Sequence, residues 1–470
     1  MQARLLALES RVFTLEAENS RLRETIAKLE ERLGTDSHNS SKPPSSDPAT
    51  KPRHPTRGSG RKPGGQPGHD GHHRALIPTE QCTRVEKVVP ERCARCRGRN
   101  LVRMASPPSR HQVTDVPPVR PEVTEWQCFD AECRDCGLVT TASLPDGVPR
   151  GAFGCRALAL VAYLSGALRL GRRSTEKAMV DLFGVEMSLG SVAAVEQIAC
   201  TALEGPYQQA HRAAQEQPVA HFDETGWRER MGKAWMWVMA TPIAVVFHID
   251  VGRGHEAAQK IIGAFKGILV SDRWVVYNCW AMWMRQLCWA HLARAFVKFS
   301  ERGGKSRKIG DALQAEVTTM FKWWHKVRDG TMTRANFIRN MRPLRLRVED
   351  LLRRGRDTCV QKATAGTCRE ILKLAPALWT FVTESGVEPT NNVAERSVRR
   401  GVLWRKTSLG SFAANGSRYV ERMLTVVETL RIHNRGVLDY LTAAIDCHLN
   451  RRPIPSLLPG CAAIMQSQAA

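Results

Sequence analysis

Two short apolar runs, Pro218-Val-Ala-His-Phe-Asp223 and Gly267-Ile-Leu-Val-Ser-Asp272, each end in an aspartate. Their length and composition are typical of buried β-strands, so both carboxylates are expected at strand ends. A third acid, Glu395, lies near the start of a predicted helix. Carboxylates can hold hard divalent cations, which prefer oxygen ligands. Two such ions about 3.5–4 Å apart can drive in-line attack on a phosphodiester.

The residues around these acids predict an α/β sheet with the topology of a ribonuclease-H-like core. Three antiparallel strands, a crossover helix and a returning strand are expected, and a right-handed crossover brings the fourth strand beside the first. The ends that carry Asp223 and Asp272 then become neighbours. The expected elements are strands at 218–223, 234–240, 243–250, 267–272 and 286–289, and helices at 255–265 and 291–299.

The three acids also have a structural interpretation. Asp223 and Asp272 can begin turns or cap helices, and Asn392-x-x-Glu395 can form a capping box. Three acids in one fold order within so basic a chain favour the metal site, because a carboxylate cluster without a cation repels itself. Cys288 and His291 can bind metal or brace a strand–helix junction, and bracing is favoured.

The charge of the chain indicates a polyanionic partner. Its 470 residues include 69 Lys and Arg against 46 Asp and Glu, which gives a net charge of +23. An excess of this size favours nucleic acid or an anionic membrane surface. No apolar stretch approaches the roughly 20 residues of a membrane span, so DNA is the expected partner and no membrane is expected.

The N-terminus and the cysteines favour a cytoplasmic, nucleoid-associated protein. Heptads begin almost at Met1, and no signal-peptide pattern precedes them. Of the 14 cysteines, four form two C-x-x-C pairs and the others are scattered singly. This usage suits a reducing compartment better than a disulfide framework.

Residues 1–33 predict a leucine-zipper coiled coil that forms a homodimer. β-branched residues at position a with Leu at d favour two parallel strands, and one Asn at a sets the register. The alternative is an amphipathic helix that packs on its own domain. The a positions are Leu5, Val12, Asn19, Ile26 and Leu33, and the d positions are Met1, Leu8, Leu15, Leu22 and Leu29.

Residues 34–81 form a predicted disordered linker, because their Pro, Ser and Gly content cannot support a core. Between Lys51 and Arg74 lie six Lys or Arg and one Asp. The segment can be a solvated tether, a basic arm that follows DNA, or both.

Residues 82–145 predict a small zinc ribbon that binds DNA. Cys93-Ala-Arg-Cys96 and Cys133-Arg-Asp-Cys136 are two knuckles that can complete a tetrahedral thiolate site for a structural Zn²⁺. Cys82 and Cys128 are alternative ligands. Unligated cysteines or a redox pair remain the other interpretation.

Residues 150–217 are predicted to be helical. The segments 174–183 and 189–200, separated by a turn at Gly184, have the proportions of a helix-turn-helix in which Ser188 caps the second helix. A helix pair of this kind can read DNA, or can simply form part of a core.

The core is predicted to span 218–435, with an all-helical insertion at about 300–388 and a C-terminal helix and tail at 436–470. The insertion can shape a DNA channel or the dimer, or can be a lid without DNA contact. The basic helix–loop–helix after Asn391 is expected along the DNA backbone. The candidate DNA contacts are Arg396, Arg399, Arg400, Arg405, Lys406 and Arg418.

Together these features resemble the insertion-sequence 66 family of bacterial DDE transposases. The heptads, the linker with Gly64-Gly-Gln-Pro-Gly-His69 and the double C-x-x-C occur in one order with the core motifs. The core motifs are Asp223-Glu-Thr, Asp272, Cys288-Trp-Ala-His291-Leu-Ala-Arg294 and Asn391-Asn392-x-Ala-Glu395-Arg396. The resemblance runs over nearly the whole chain.

The resemblance implies a ribonuclease-H-like fold, two Mg²⁺ or Mn²⁺ ions per active site, and cut-and-join chemistry at the ends of a mobile element. Matched by motif, Asp223 and Asp272 are the metal-binding aspartates and Glu395 the closing glutamate. The implied partners are the terminal inverted repeats, target DNA and small accessory proteins of the element. Bulky Arg273 and Trp274 depart from the small residue expected beside Asp272.

Three functions remain open from the sequence. A DDE transposase holds two DNA ends together, which gives the coiled coil a purpose. A metal-dependent nuclease that cuts without joining would share the acids but would not need the dimer. A non-catalytic DNA-binding regulator would need only the zinc ribbon and the helix-turn-helix.

Overall fold

The computed structural model describes residues 74–459 and ten helical residues between Arg11 and Ile26. The remainder of the predicted coiled coil and most of the predicted linker lie outside the described residues. Leu15, Leu22 and Ile26, which the heptad pattern places on the seam, are exposed. The coiled coil and its dimer stay predictions. Among the described residues no helix has the length and apolarity to cross a membrane.

The chain divides into two compact units, 48–119 and the combination of 1–47 with 120–470. In the smaller unit, a short 3₁₀ helix spans Thr79–Gln81. The side chain of Gln112 bonds to both backbone groups of Ile77 and donates to Cys82 Sγ at 3.3 Å.

The larger unit begins with a small hairpin and a group of helices. Strands β1 (Asp130–Glu132) and β2 (Val139–Thr141) pair antiparallel. Four helices follow: α1 (Cys155–Ala162), which continues into a π-helical turn at Tyr163–Ala167, then α2 (Arg172–Phe183), α3 (Leu189–Ala202) and α4 (Glu204–Gln215).

The turn between α2 and α3 forms as its residue types predict. Gly184 ends α2 with φ of 63°, a conformation that a residue without Cβ adopts at little cost. Ser188 Oγ accepts a hydrogen bond from Ser191 N at 3.1 Å and so caps α3.

A five-stranded sheet forms the centre of the larger unit. Its strands are β3 (Val219–Glu229), β4 (Gly232–Ala240), β5 (Val245–Asp250), β6 (Ile268–Ser271) and β7 (Arg285–Leu287). The order is β5-β4-β3-β6-β7, in which β3, β4 and β5 pair antiparallel and β6 pairs parallel with both β3 and β7. Helix α5 (His255–Ile262) connects β5 to β6.

The first strand differs from the sequence expectation. It was expected to end at Asp223 but continues to Glu229, because antiparallel pairing with β4 extends to Glu229 opposite Gly232. Asp223 itself lies opposite Val238. What ends before Asp223 is only the pairing with the shorter β6, whose last residue is Ser271.

Helices cover the β6–β7 side of the sheet and then return to β3. After α6 (Trp289–Glu301) come α7 (Gly304–Arg328), α8 (Arg334–Thr358) and α9 (Lys362–Lys373), with the short α10 (Thr380–Thr383). Their aromatic residues form one buried cluster with Val270 and Leu287 of the sheet. The last helices are α11 (Asn392–Ser408), α12 (Ala414–Ile432) and α13 (Val437–Leu449).

Helix α12 covers the outer edge of β5. The side chains of Glu421, Thr425 and Thr429 follow one another at four-residue spacing and so lie on one helix face. They accept hydrogen bonds from the backbone N–H groups of Ile249, Phe247 and Val245. The unpaired edge of the sheet is therefore satisfied within the chain.

We predict that Thr425→Val destabilises the fold by about 1–3 kcal/mol, because it leaves the buried N–H of Phe247 without an acceptor while keeping the side-chain shape. The measurement is the urea midpoint of unfolding. Thr318→Val is the matched control, since the Thr318 hydroxyl is exposed and bonds only to its own helix. Equal midpoints for the two variants would contradict the prediction.

Candidate active site

The parallel pairing of β3 with β6 places Asp223 and Asp272 at matching positions, just beyond the paired segment of the two strands. Val219 pairs with Ile268, Ala220 with Leu269 and His221 with Val270. Each aspartate follows the last of these pairs by two residues on its own strand. The strand adjacency that the sequence predicts is therefore present, with the two aspartates at matching positions of neighbouring chain segments.

Asn391 joins the start of α11 to β3. Its Nδ2 donates to the Phe222 carbonyl at 2.7 Å, and its Oδ1 lies 3.1 Å from His221 Nδ1. Its backbone N–H donates to Cys288 Sγ at 3.2 Å. The residue is fully buried. This contact brings Glu395, one turn into α11, to the part of β3 that carries Asp223.

Glu395 does not form the capping box that was its alternative interpretation. Asn391 is the residue before the helix, and Asn392 is the first helical residue and is exposed. The Glu395 carboxylate instead approaches the imidazole of His291, with 3.4 Å between Oε1 and Nδ1. Both atoms are buried, and neither has a hydrogen-bond partner among the described residues.

Cys288, His291 and Glu395 offer three ligand atoms within 4.8 Å of one another, so they can hold a metal ion. Burial raises the pKa of the Cys288 thiol to about 11. The metal-binding form of cysteine is the thiolate, which this pKa disfavours. The Cys288 sulfur also accepts the Asn391 N–H. Both interpretations of Cys288 stay open: it can brace the junction through this hydrogen bond, or bind a metal ion with His291 and Glu395.

Burial raises the pKa of Asp223 well above its usual range, and the negative charges of Glu224, Asp272 and Glu395 raise it further. Burial likewise raises the pKa of Glu224, and Asp272 adds to the shift. These mutual effects show that four carboxylates share one electrostatic environment. A cation among them would relieve the repulsion that opposes their ionisation.

The residues fit a hard divalent cation. The site offers carboxylate oxygens, the ligands that Mg²⁺ and Mn²⁺ prefer. Neither Asp223 nor Asp272 forms an ion pair with Lys or Arg in the described part of the chain. The buried Oε1 of Glu395 lacks a hydrogen-bond donor there as well.

An arginine between two tryptophans supports the neighbouring Glu224 and was not identified from the sequence. The guanidinium of Arg253 lies 4.3 Å from the ring centre of Trp235 and 4.0 Å from that of Trp274. It donates to Glu224 Oε1 at 2.8 Å, and the Tyr277 hydroxyl donates to Glu224 Oε2 at 3.1 Å. The sequence signal was Glu224 itself, which directly follows Asp223.

Trp274, one of the two bulky residues after Asp272, contacts both Arg253 and Asp272. The Trp274 ring stacks on Arg253, and its backbone N–H donates to Asp272 Oδ1 at 2.8 Å. The sequence comparison treated Trp274 as a departure from a small residue. In the fold it orients Asp272 through its backbone and completes the support of Glu224 through its ring.

Arg285 is a second supporting residue that sequence reasoning missed. Its guanidinium is buried, donating to the Asp272 carbonyl at 2.9 Å and to Asn278 Oδ1 at 2.7 Å. Arg285 of β7 therefore holds the loop that carries Asp272 through a main-chain carbonyl of that loop. Nothing in the sequence marked Arg285, because its partners come together only through the β6–β7 pairing.

The predicted DNA contacts after Asn391 divide into two groups. Arg396, Arg399 and Lys406 are exposed on α11. The other three make contacts within the fold: Arg400 pairs with Glu428 at 3.3 Å, Arg405 donates to the Gly226 carbonyl, and Arg418 donates to the Ile249 carbonyl at 2.6 Å.

Each C-x-x-C knuckle has the same backbone pattern. The N–H of Cys93 donates to the Gly98 carbonyl, and that of Cys133 to the Leu138 carbonyl. Backbone N–H groups donate hydrogen bonds to the first cysteine of each knuckle and lower the pKa of its thiol. The largest effect comes from the N–H of Cys96 on Cys93 and from that of Asp135 on Cys133. The two knuckles belong to different units, so a shared zinc site stays a prediction.

We expect Asn391→Ala to lower the unfolding free energy by about 1–3 kcal/mol, because the buried Phe222 carbonyl loses its donor. Asn392→Ala is the matched control at an exposed position and should stay close to wild type. Chemical denaturation of both variants measures the difference. A small loss for Asn391→Ala, equal to that of the control, would show that the side chain does not hold α11 to β3.

Arg253→Met should also destabilise the protein, by about 1–3 kcal/mol, since the buried Glu224 carboxylate loses its cation. The magnitude is reduced because the arginine is about one-third exposed. Arg253→Lys retains the charge but lacks the planar group between the tryptophans, so it should lie between wild type and Arg253→Met. Thermal unfolding of the three proteins measures their order of stability. Equal stabilities of Arg253→Lys and Arg253→Met would contradict the prediction.

Comparison with known proteins gives the family of this chain. Residues 2–75 match a family of unknown function (DUF6444). A relative from Sinorhizobium fredii, the uncharacterized protein y4qI, is 25% identical over 235 residues, which is 45% of this chain. The aligned part is 43% of that relative's length. Residues 150–419, more than half of the chain, match the family described as Transposase IS66 family. The chain belongs to the IS66 family of transposases.

Proposed function

We propose that this chain is a DDE transposase that cuts DNA at the ends of an insertion sequence and joins them to target DNA. Asp223, Asp272 and Glu395 are the proposed catalytic acids. The observation that carries the proposal is the parallel pairing of β3 with β6, which sets the two aspartates side by side. The raised pKa of Asp223, to which Asp272 and Glu395 both contribute, supports the grouping of the three acids.

The proposed fold of the core is ribonuclease-H-like. Three antiparallel strands followed by a helix and two parallel strands support this assignment. The helical segment between β7 and α11 is then an insertion in that core. It leaves the sheet after Leu287 and returns at Asn391, which joins α11 to β3.

Two Mg²⁺ or Mn²⁺ ions, when bound, would activate the attacking oxygen and offset charge on the leaving oxygen. Asp223, Asp272 and Glu395 would hold them. His291 faces Glu395, and the backbone N–H of Trp274 orients Asp272. A water attacks first and a 3′-hydroxyl second, so no Ser or Tyr nucleophile is required.

Other parts of the chain have proposed roles in holding DNA. Residues 1–33 form a coiled-coil dimer that keeps two DNA ends together. The knuckles at Cys93–Cys96 and Cys133–Cys136 form a zinc ribbon that binds the terminal repeats. The α2–turn–α3 pair and the exposed cations of α11 contact the DNA backbone. Small proteins of the same element are proposed as accessory partners.

The test is cleavage and joining of a DNA fragment that carries the gene's native flanks, with Mg²⁺, Mn²⁺ or EDTA. Asp223→Asn, Asp272→Asn and Glu395→Gln should each lower the rate by more than about 100-fold, since even residues behind a metal ligand contribute 10–100-fold. Glu316→Gln is the matched control, because this carboxylate pairs with Arg347 on the helical insertion. It should retain wild-type activity.

The same assay separates the alternatives. Cutting without joining would favour a metal-dependent nuclease, and deletion of residues 1–33 should then leave the rate unchanged. Binding without cutting in either metal would favour a DNA-binding regulator. Equal activity of the three acid variants and wild type would refute the assignment of the acids.

A further inference from the structure

A basic cleft opens directly beside the proposed catalytic acids. It has a volume of about 480 Å³, and its lining includes Asp272 and His291. Four cations also line it: Arg273, Arg294, Lys298 and Arg302. On its far side lies Thr367 of α9, so the cleft runs from the acids toward the helical insertion.

Three of these cations form a row along α6. Arg294, Lys298 and Arg302 are four residues apart, so they lie on one face of the helix. Arg302 is the residue that ends the helix, and successive positions are separated by about 6 Å along the axis. A row of this length suits a polyanion, because a single free phosphate would contact only one or two of the cations.

Two cations of the row have no acidic partner. Among the described residues, no carboxylate forms an ion pair with Arg294 or Lys298, whereas Arg273 interacts with Asp272 and Glu370. Arg302 is held by a hydrogen bond from Nη1 to Thr364 Oγ1 at 2.9 Å and lies over the Phe299 ring. The insertion thus fixes one end of the row, and exposed Lys298 is free to reach a ligand.

We propose that this cleft binds the phosphate backbone of a single DNA strand next to the phosphodiester that is cut. The proposal rests on the proposed function and adds the path of the strand. A volume of about 480 Å³ is that of a small-ligand pocket, so it accommodates a short length of one strand and not a duplex. The strand therefore enters unpaired.

This assignment gives the helical insertion a role in substrate binding. Helix α6 supplies the cations, while α9 supplies the opposite wall and the contact that holds Arg302. The row begins at Arg294, three residues after His291, which faces Glu395. A strand bound along the row is thereby led to the acids.

The first test measures binding in EDTA, where no cutting is required. The probe is a fluorescent single strand of mixed sequence, on the order of 12 nucleotides, compared with its duplex. Lys298→Gln and the double variant Arg294→Gln/Lys298→Gln are compared with wild type. Lys322→Gln, an exposed residue of α7 outside the cleft, is the matched control. Circular dichroism checks that each variant is folded.

The expected result is a weaker salt dependence for the single strand. The slope of log K against log salt should fall by about 0.7 for Lys298→Gln and by about 1.4 for the double variant. Lys322→Gln should leave the slope unchanged, and duplex binding should change less than single-strand binding. Unchanged slopes, or an equal loss in the control, would overturn the proposal. A loss confined to the duplex would overturn the single-strand assignment.

Cleavage of the native-flank fragment distinguishes this proposal from the proposed function. If wild type cuts DNA, the double variant should raise the KM for DNA at least about tenfold through lost phosphate contacts. If the double variant cuts DNA with an unchanged KM and binds it with unchanged salt slopes, the proposed role of the cleft is rejected and the catalytic assignment stands. Lowered slopes with no cutting by wild type would support the cleft and reject the catalysis.

Discussion

The site depends on the buried amide of Asn391. It hydrogen-bonds to the Phe222 carbonyl, 169 positions earlier in the sequence, and so joins α11 to the strand that carries Asp223. The backbone of the same residue bonds to Cys288 at the start of α6. One residue thus ties together the three segments that bear Asp223, His291 and Glu395.

The second constraint is electrostatic. Burial and mutual repulsion raise the pKa of Asp223, although the chain as a whole carries a net charge of +23. Among the described residues, no Lys or Arg forms an ion pair with the two aspartates. Basic residues lie beside them, in the cleft lined by Arg273, Arg294 and Lys298. This separation keeps the carboxylates available to a cation and places the positive charge where a phosphate backbone can reach it.

The surroundings of the acids are held by identifiable contacts. Trp235 and Trp274 enclose Arg253, which pairs with buried Glu224. Arg285 holds the carbonyl of Asp272 from the neighbouring strand. These groups are charged or aromatic, and each has its partner within the fold. A residue that looked unusual from the sequence, Trp274, belongs to this support.

The amino-acid sequence was sufficient to locate the strands, the cap at Ser188 and the order of the core motifs. Strand and helix propensities act over a few residues, so apolar runs such as 267–272 identify their own conformation. The family was recognisable for the same reason, because its motifs are local. Element ends were less accurate, as β3 shows, since its extension to Glu229 depends on pairing with β4.

Only the tertiary structure revealed what supports the acids and what lies beside them. Asn391, Arg253 and Arg285 act through partners far apart in sequence, and no local pattern predicts such pairs. The same holds for the basic residues. Arg405 and Arg418, which were expected along DNA, bond to carbonyls of the sheet. Lys298, which was not among the expected contacts, lines a cleft. The sequence by itself determined the local elements and located the acids that are proposed as catalytic. Packing decided which side chains meet, because burial and long-range pairing arise only when the chain is folded.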